Sequence, residues 1–499
     1  MKLKQGMAKE EIEAYKRRQA KRLGFKQVAG NADLLASLPK KEREGMRETL
    51  KVRNTRSASG VCVIAVMTRP WPCPGKCAYC PTAKNAPKSY TGFEPAARRA
   101  RQNNFDAYAQ VEDRLRQLEA IGHEPSKCEL IIMGGTFNSQ PRAYQDAFIK
   151  KAYEAFNGKK SRTLAEAIKT NEKAHYRVTG LTLETRPDWC IESEVKRFVG
   201  YGATRIELGV QSLDEGVLKR VNRGHGLAAV AEATRYCKDA FLKVCYHVMP
   251  GLYATRESDL EMFRQLFGDE RFKPDMLKIY PCLVIKGTRV YREWKRGEFK
   301  PYSTEEAAEV IAEAKRFVPQ YCRIMRVDRD IPTNLIAAGV DKSNLREIAR
   351  KKAKEKGIVC RCIRCREIGF NRNAKGKPKL ARLDYEASGG AEIFLSYENG
   401  DALWAFLRLR CNESGECGVR ELRVFGEQTP VGAESRRAQH KGYGARLLAE
   451  AERIARKDFK AKKLVVLAGV GARPYYRRLG YALRGGYMEK SLSQRQGIH

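Results

Sequence analysis

Short apolar, β-branched runs alternate with longer amphipathic segments from about residue 57 to residue 345. Runs of about four to eight such residues predict buried strands, and an apolar period of about 3.6 residues predicts helices. The predicted strands are Val61–Met67, Glu129–Met133, Leu181–Glu184, Arg205–Val210, Val244–Met249, Met276–Tyr280 and Arg323–Val327. Helices are predicted at Ala96–Ile121 and at Thr304–Phe317, with Ser303 as N-cap of the second. This alternation predicts parallel strands, either in an α/β barrel or in an open sheet.

The pattern changes on both sides of this region. Residues 1–56 are poor in apolar residues and carry 16 Lys or Arg against 7 Asp or Glu, and residues 350–382 carry 13 against 2. Residues 383–499 return to strands at Trp404–Arg410, Arg420–Phe425 and Leu464–Leu467, with a helix from about Gly442 to Lys457. We therefore predict a basic arm at 1–56, an α/β domain at 57–345, a basic linker at 346–382 and a second domain at 383–499.

The net charge of +37 is too large for an ordinary solvated surface and predicts a polyanionic partner, nucleic acid before an acidic membrane. The cluster Lys16-Arg17-Arg18, followed by Lys21-Arg22, favours an RNA-binding arm over a merely solvated helix face. No apolar run approaches the roughly 20 residues that span a bilayer, and no signal-peptide core follows Met1, so we expect a cytoplasmic protein. In that compartment the fifteen cysteines are expected to be metal ligands or buried apolar residues rather than disulfides.

Three cysteines follow the first predicted strand, Cys73, Cys77 and Cys80, in the pattern Cys-x-x-x-Cys-x-x-Cys. Three thiolates can hold a four-iron cluster and leave its fourth iron open to bind the amino and carboxylate groups of S-adenosylmethionine. A zinc knuckle is the alternative, but it needs a fourth nearby Cys or His, which the surrounding loop lacks. The spacing therefore predicts a radical [4Fe–4S] centre.

Other candidates stand at the carboxyl ends of later strands, where the chemistry of α/β barrels gathers. Glycines at these positions leave backbone amides free for a ligand. A Glu there can bind a ribose hydroxyl and an Arg can bind a carboxylate. The alternative is that the Glu and the Arg only pair with neighbouring side chains. We expect S-adenosylmethionine to be bound by Gly134, Gly135, Thr136, Glu184, Arg186 and Gln211. Arg223-Gly224-His225 is predicted to be a basic turn, His247 a satisfied core histidine, and Lys278 a further residue at a strand end.

A second cysteine group, Cys360, Cys362 and Cys365, lies in the basic linker. Three close thiols favour a structural zinc, with Cys322 as a candidate fourth ligand and reduced free thiols as the alternative.

The second domain carries Gln439-His440-Lys441-Gly442-Tyr443-Gly444-Ala445 at a predicted helix start. Free amides and the helix dipole at such a start can hold a pyrophosphate. The loop resembles the coenzyme A loop of the GNAT superfamily of N-acetyltransferases, and Tyr475-Tyr476-Arg477-Arg478-Leu479-Gly480-Tyr481 fits that family's tyrosine near the thioester. This resemblance implies an acetyltransferase fold for residues 383–499.

From about Ser57 to Lys490 the chain resembles the family of the Elongator catalytic subunit, in its stand-alone archaeal or bacterial type. The matching motifs include Tyr90-Thr91-Gly92-Phe93-Glu94-Pro95, Met133-Gly134-Gly135-Thr136-Phe137, Glu184-Thr185-Arg186-Pro187-Asp188, Asn222-Arg223-Gly224-His225, Leu277-Lys278-Ile279-Tyr280-Pro281, Arg329-Asp330-Ile331-Pro332 and Asn344-Leu345-Arg346-Glu347. The resemblance implies a partial, TIM-like radical SAM barrel followed by a GNAT domain. It also implies synthesis of 5-carboxymethyluridine at the wobble uridine of tRNA, in which an adenosyl radical takes a hydrogen from the acetyl methyl of acetyl-CoA.

Family residues carried over to this sequence give the expected acetyl-CoA site as Lys127, Glu421, Leu422, Arg423, Val424, Tyr443, Gly444, Ala445 and Tyr476. We assign catalytic roles to Tyr476, to Glu421 as a general base and to Lys278. The basic segments are expected to hold the anticodon stem-loop through its phosphates.

Two other functions are compatible with the sequence. One is a lysine acetyltransferase acting on protein with a purely structural radical domain, although a substrate rich in Lys would be repelled by a chain of charge +37. The other is a tRNA-binding assembly platform without turnover. The sequence is compatible with a homo-oligomer and with accessory subunits, and it requires neither.

Overall fold

A computed structural model describes residues 7–22, 24, 27–52, 60–371, 376–426 and 442–493. Three helices open the chain, α1 (Lys9–Arg22), α2 (Asn31–Ser37) and α3 (Lys40–Leu50). They pack around a small apolar cluster formed by Ile12, Leu35, Met46 and Leu50. Part of the basic arm therefore folds as a compact helical unit.

The predicted α/β region contains a sheet of seven parallel strands. The strands of this region are β1 (Cys62–Met67), β2 (Lys127–Met133), β3 (Arg177–Thr185), β4 (Arg205–Gln211), β5 (Lys243–Val248), β6 (Met276–Ile279), β7 (Val284–Ile285), β8 (Arg323–Val327) and β9 (Ile336–Ala338). The order is β1-β2-β3-β4-β5-β6-β8, and β7 and β9 form a small antiparallel pair. All seven predicted strands are confirmed, and the single curved layer corresponds to the expected partial barrel.

Helices alternate with these strands along the chain. They are α4 (Pro95–Gln102), α5 (Ala107–Ala120), α6 (Arg142–Asn157), α7 (Leu164–Asn171), α8 (Glu192–Gly200), α9 (Glu215–Arg220), α10 (Leu227–Asp239), α11 (Arg256–Gly268), α12 (Arg289–Lys295), α13 (Thr304–Ala314), α14 (Leu345–Glu355) and α15 (Ile363–Arg366). The single helix predicted at 96–121 is wrong. Asn104 and Phe105 adopt positive φ, and Asp106 caps a new helix by accepting from the amide of Ala109, so the segment forms α4 and α5.

Ser303 is confirmed as the N-cap of α13. Its hydroxyl accepts from the amide of Glu306 at 3.2 Å, and the Glu306 carboxylate accepts from the Ser303 amide at 2.7 Å, which forms a capping box. Helix α14, within the segment expected to be a linker, packs along α13. The start of this basic segment is therefore built onto the α/β domain.

A second sheet of seven strands follows. It consists of β10 (Lys379–Glu386), β11 (Gly390–Asn399), β12 (Ala402–Asn412), β13 (Cys417–Val424), β14 (Lys463–Val466), β15 (Ala482–Arg484) and β16 (Tyr487–Ser491), with helices α16 (Tyr443–Lys457) and α17 (Arg473–Arg478). The order is β10-β11-β12-β13-β14-β16-β15, and only β13 and β14 are parallel to each other. The sequence did not predict β10, β11, β15 or β16.

The expectation that the chain holds no disulfide is contradicted at one place. Cys411 and Cys417 are joined by a disulfide between β12 and β13, where they are paired across the ladder with Cα atoms 4.1 Å apart. The other described cysteines form no disulfide. The pairing follows from register, because Cys411 and Cys417 lie directly opposite each other on antiparallel strands.

The two domains meet over a close, largely buried interface. A Cβ on Gly469 would overlap the carbonyl oxygen of Thr179 at the start of β3, and a Cβ on Gly418 would lie 2.5 Å from the ring of Phe241. Arg420 of β13 donates to both carboxylate oxygens of Asp275 beside β6. In the part of the chain that the structure describes, no helix has the length and apolar character needed to cross a bilayer.

Candidate active site

Three cysteines line one cavity at the carboxyl edge of the parallel sheet. Cys73, Cys77 and Cys80 lie on the loop that follows β1 and face this cavity together with Gly135, Thr136 and Glu184. The Sγ of Cys77 accepts from Nη1 of Arg223 at 3.5 Å, and the Sγ of Cys73 accepts from the amide of Gly75 at 3.4 Å. Cationic and amide donors at sulfur suit thiolate ligands.

The spacing of these thiols suits a cluster better than a single ion. Among the described residues, the groups of three ligand atoms within 4.8 Å of one another are Cys360–Cys362–Cys365 and Glu207–Cys245–His247. Cys73, Cys77 and Cys80 do not form such a group, although they surround one cavity. Sulfurs spread in this way can each bind a different iron of a [4Fe–4S] cluster.

Glycines and a strained glutamine form the strand-end turns of this cavity. Gly134 and Gly135 have φ of 141° and 81°, and a Cβ on Gly134 would overlap the hydroxyl of Thr68. Gln211 ends β4 with φ of 72° and lines the cavity, as does Thr136. Left-handed backbone at a non-glycine residue is costly and is concentrated at functional sites. Gly135, Thr136 and Gln211 therefore lie where a ligand at the cluster would contact them, whereas Gly134 shapes the turn without lining the cavity.

Glu184 and Arg186 lie in the cavity wall but differ in their freedom to bind a ligand. The carboxylate of Glu184 accepts from the hydroxyl of Tyr90 at 2.9 Å and lies 4.0 Å from Nζ of Lys278. Arg186 forms a bidentate pair with Asp188, with both donor distances 2.9 Å, and also donates to the carbonyl of Arg223 at 2.7 Å. Arg186 therefore pairs with neighbours while it also lines the cavity, and its contact with S-adenosylmethionine stays a prediction.

The Arg223-Gly224-His225 turn is less basic than predicted. Arg223 is buried and directed at Cys77. Burial, together with the Arg223 charge, lowers the pKa of His225 to about 4, so this imidazole is neutral at pH 7. The turn therefore provides one buried cation beside the cysteine loop.

A buried carboxylate, Glu207, organises the cavity floor and was missed by the sequence reasoning. It accepts from Nζ of Lys278 and is 2.8 Å from Nε2 of His247. Burial alone would raise the pKa of Glu207, but Lys278 and His247 hold it well below its usual range. His247 is hydrogen-bonded, as expected of a core histidine, yet it also faces the cavity. The available signal was a Glu alternating with apolar residues inside a buried strand.

Arginines from the last strands complete the wall. Arg326 and Arg329 line the cavity beside Tyr280, and Arg329 donates to the carbonyl of Ser89. Arg329 belongs to one of the family motifs, but neither arginine had a predicted role. Arg326 is ion-paired with Asp330, which also lines the cavity, so this part of the wall carries both charges.

In the second domain, the start of α16 meets the end of β13. Tyr443, Gly444 and Ala445 form the first turn of α16, and a Cβ on Gly444 would lie 3.6 Å from Val424 and 3.9 Å from Leu422. Residues 427–441, which include Gln439, His440 and Lys441 of the predicted coenzyme A loop, lie outside the described residues. The predicted residues on these two elements are thus brought together.

Strands β13 and β14 diverge at this point. They pair only from Cys417 to Val419, and a bulge lies opposite Arg408 and Leu409. Beyond the bulge, the edge of β13 that carries Glu421–Val424 has no partner strand among the described residues. Free backbone groups along such an edge can bind the amide-bearing arm of coenzyme A, in the manner of an added strand.

The two predicted catalytic residues of this domain are buried. The carboxylate of Glu421 accepts from Nε of Arg408 at 3.0 Å and lies 3.7 Å from Nε of Arg423. Burial opposes ionisation of Glu421, but Arg408, Lys243 and Arg423 lower its pKa. Tyr476 is 6% exposed within the apolar core, and burial raises its pKa. Glu421 is therefore an ionised member of a buried ion network, which makes it a weak general base.

Lys127 lies at the other side of the interface, at the first position of β2. Burial, with Arg177 nearby, lowers its pKa. Two residues further on, Glu129 lies 3.8 Å from Arg423 of β13. The strand that carries Lys127 therefore directly contacts the expected acetyl-CoA strand.

The second cysteine group is compact. The sulfurs of Cys360, Cys362 and Cys365 all lie within 4.8 Å of one another, and Cys322 is not part of the group. The segment also connects the domains, because Ile363 donates to the carbonyl of Cys322 and Ile368 donates to that of Leu403. Three sulfurs at this spacing can share one ion.

Comparisons with known proteins agree with this two-domain arrangement. The chain matches the Radical SAM superfamily over residues 73–267, the Radical_SAM C-terminal domain over 274–355 and the acetyltransferase (GNAT) family over 367–481. The first two matches together reach to the end of α14. The third begins just after α15.

Proteins from three domains of life are similar to nearly the whole chain. The tRNA uridine(34) acetyltransferase of Methanocaldococcus infernus is 47% identical over 93% of this chain and 91% of its own length. That of Dehalococcoides mccartyi is 48% identical over 88% of this chain and 99% of its own length. Elongator complex protein 3 of Homo sapiens is 40% identical over 97% of this chain and 93% of its own length.

A solved structure has the same fold. The archaeal Methanocaldococcus infernus Elp3 with a deleted N-terminus superposes with a TM-score of 0.78 at 46% identity, covering 87% of this chain and 99% of that one. The expected radical SAM half-barrel and GNAT domain are therefore confirmed. The chain belongs to the family of Elongator complex protein 3 and the related proteins named tRNA uridine(34) acetyltransferase.

Proposed function

We propose that this protein modifies uridine 34 of tRNA and forms 5-carboxymethyluridine from acetyl-CoA. The observation that carries the proposal is the direct contact between the radical SAM half-barrel and the acetyl-CoA strand, through Glu129 and Arg423. This contact joins the strand that carries Lys127 to the strand that carries Glu421–Val424. The name tRNA uridine(34) acetyltransferase, carried by the archaeal and bacterial relatives, supports tRNA as the substrate.

The cavity residues fit the groups that this reaction needs. Cys73, Cys77 and Cys80 would hold a [4Fe–4S] cluster, and the turns at Gly134–Thr136 and Gln211 would contact S-adenosylmethionine. When bound, the cluster and S-adenosylmethionine supply a carbon radical able to take a hydrogen atom from an unactivated methyl group. Glu207 keeps Lys278 charged at the cavity floor, because its carboxylate outweighs the effect of burial on the Lys278 pKa.

The acetyltransferase domain would hold acetyl-CoA between the start of α16 and the free edge of β13. The amides of Tyr443, Gly444 and Ala445 lie at the positive end of the helix dipole, where a pyrophosphate binds. The edge at Glu421–Val424 offers backbone groups to the pantetheine arm. Glu421 would keep Arg408 and Arg423 in place at this edge.

The interface argues against acetylation of protein lysines. The face of β13 and β14 opposite α16 is covered by the radical SAM domain at Phe241 and Thr179. Glu421 is 8% exposed, so a bulky acceptor lysine on another protein has no open approach to it. This arrangement suits a reaction in which the acyl group is consumed inside the protein.

The N-terminal helices offer a basic surface for tRNA, with one change from the prediction. Arg17, Arg18, Lys21 and Arg22 are exposed on α1, but Lys16 is 8% exposed and donates to Glu13 and Asn31. We expect the triple variant Arg17→Ala, Arg18→Ala, Arg22→Ala to weaken tRNA binding and to flatten its salt dependence. Lys16→Met is the control and should leave the salt slope unchanged. Equal slopes for the wild type and the triple variant would contradict the tRNA surface.

We also propose a structural zinc at Cys360, Cys362 and Cys365. The ion would hold the segment that joins Cys322 of the half-barrel to Leu403 of the second domain. Metal analysis of purified protein should give close to one zinc per chain, and Cys362→Ala should lose it. A zinc content that does not change in this variant would exclude the site.

The central experiment uses anaerobically reconstituted protein with bulk tRNA, S-adenosylmethionine, a reductant and methyl-deuterated acetyl-CoA. Mass spectrometry of the digested nucleosides should find deuterium in 5-carboxymethyluridine and in 5′-deoxyadenosine. The double variant Cys77→Ala, Cys80→Ala should give neither product. Cys128→Ala, which changes a buried cysteine outside the cavity, is the control. Modified uridine that persists without Cys77 and Cys80 would refute the radical mechanism.

A further inference from the structure

The inner face of the parallel sheet is unusually polar. On β4, Ile206 and Leu208 pack in the apolar core with the helices, whereas Arg205 and Glu207 take the opposite face. The same alternation on β3 places Thr182 on the inner face. Interiors of α/β barrels are filled mainly by branched apolar side chains. Charged and hydroxyl side chains are therefore unexpected on this face of the sheet.

This inner face runs from the cavity to the second domain. At the cavity end, Glu207 and Glu184 line the wall. One two-residue step lower, about 7 Å along each strand, Arg205 is opposite Thr182 in the ladder and forms an ion pair with Glu129. Glu129 in turn faces Arg423 of the acetyl-CoA strand. Polar groups thus form an unbroken line between the two expected cofactor sites.

Several polar atoms along this line have no partner. Within the described residues, Oγ1 of Thr182 and Nη2 of Arg205 make no hydrogen bond, although both residues are at least 98% buried. Oε1 of Glu207 lies 3.4 Å from Nε of Arg205, also without a hydrogen bond. Buried donors are almost always satisfied, so these atoms call for a further polar partner, either an ordered water or a bound ligand.

The acetyl-CoA edge opens toward the same place. Beyond Val419, β14 leaves the edge of β13 free, and these strands pack against Thr179 at the start of β3 and against Phe241 just before β5. An arm bound along Glu421–Val424 would therefore end beside Glu129 and Arg205.

We propose that the inner face of the half-barrel is a passage for the acyl end of acetyl-CoA. Thr182 and Arg205 donate to the thioester carbonyl oxygen, and the Arg205–Glu129 ion pair closes the passage on the acetyl-CoA side until the acyl group enters. The passage deepens the proposed function and rests on it. It defines a buried subsite for an acyl thioester between the two domains.

A photoreactive probe tests the passage without cluster chemistry. The full-length protein, without S-adenosylmethionine or reductant, is illuminated with a coenzyme A thioester whose short acyl group carries a diazirine. Crosslinks are expected on the peptides that contain Thr182 and Arg205, and excess acetyl-CoA should remove them. Crosslinks confined to residues 376–493, with none on β3 or β4, would overturn the proposal.

Substitutions then test whether the acyl group uses this space. Thr182→Leu adds bulk on the inner face and should reduce both the β4 crosslink and deuterium transfer to 5′-deoxyadenosine by at least about tenfold. The cluster absorbance should stay unchanged. Val244→Leu adds similar bulk to the helix-facing side of β5 and should retain both signals. Equal signals in the two variants would refute the passage.

A milder variant keeps the test decisive if Thr182→Leu does not fold. Thr182→Val preserves shape and removes only the donor, and it should raise the KM for acetyl-CoA about three- to tenfold. An unchanged KM would refute the role of the hydroxyl. Failure of the proposed function can be told apart from failure of the passage. If the proposed function is wrong, the wild-type protein makes no modified uridine, whether or not the probe crosslinks to β3 and β4.

Discussion

Asp275 provides a sharp test of how the two domains are held together. Its carboxylate accepts from Nη1 of Arg420 at 2.9 Å and from the amide of Val244 at 2.8 Å, and Nη1 of Arg408 lies 3.6 Å away. Asp275 and Arg420 are both fully buried. Burial alone would raise the pKa of Asp275, but Arg420 and Arg408 hold it well below its usual value. Asp275→Asn keeps the shape and removes the charge.

The expected loss in the free energy of unfolding depends on which partners Arg420 keeps in the variant. Removing one partner of a buried ion pair destabilises a protein by about 3–5 kcal/mol, because the remaining charge is left uncompensated. Glu392 still accepts from Arg420 at 2.8 Å, so we expect the lower end, about 3 kcal/mol. This is a large part of the roughly 5–15 kcal/mol by which proteins are stable.

Urea unfolding at pH 7 in reducing buffer measures the change in the free energy of unfolding. The matched control is Asp384→Asn, whose exposed pair with Arg382 should contribute less than about 1 kcal/mol. Because the folded-state pKa of Asp275 is depressed, its stabilisation is present above the ordinary value of 3.8 and is lost as pH falls below it. The difference between wild type and variant should therefore shrink in acid. Equal losses for the two variants at pH 7 would refute the reasoning.

Three further changes test particular contacts. Burial raises the pKa of Asp259 from 3.8 to about 6, so the free energy of unfolding of the wild type should fall by about 2 kcal/mol relative to Asp259→Asn as pH rises from 4 to 6 in urea titrations. Parallel pH profiles would contradict this. Ser303→Ala removes the N-cap of α13 and should lower the free energy of unfolding by about 1 kcal/mol in the same assay. An unchanged free energy of unfolding would contradict this. Gly469→Ala would overlap Thr179, so it should lower the thermal midpoint and expose the domain junction to protease, whereas Gly200→Ala, with no atom within 4 Å of its new Cβ, should do neither. If the Gly469→Ala variant resists protease as well as the wild type does, the domain interface can shift to accept the added methyl group.

The parallel strands could be predicted because their apolar runs are buried on the helix-facing side and bounded by turn residues. The helix at 96–121 could not be divided by periodicity, since both halves keep the apolar stripe. The break depends on Asn104 and Phe105, which adopt positive φ. Strand β10 was missed because most of its residues are exposed and the sequence there is dominated by charge.

The candidate site was predictable residue by residue at the strand ends but not as a network. Gly134, Gln211 and the cysteines are recognisable from local pattern and resemblance. Glu207 was not recognisable, because its role depends on His247 of the neighbouring strand β5 and on Lys278 of β6. No local sequence pattern shows which residues of different strands lie next to each other. Glu421 was assigned as a base from its position in the sequence, whereas its partners Arg408 and Arg423 lie close only in the folded sheet.

The polar interior of the half-barrel has a consequence for why the two domains occur in one chain. Each buried charge there costs desolvation energy that only a well-placed partner offsets. Glu207 is balanced within the half-barrel by Lys278, but Glu129 is shared between Arg205 and Arg423, and the second of these belongs to the acetyltransferase domain. The interior is thus electrostatically complete only when the domains are docked. A chain that carried the same inner face without its partner domain would leave Glu129 facing solvent and the line of polar groups open at its lower end. Fusion of the two domains therefore stabilises the same arrangement of charges that connects their sites.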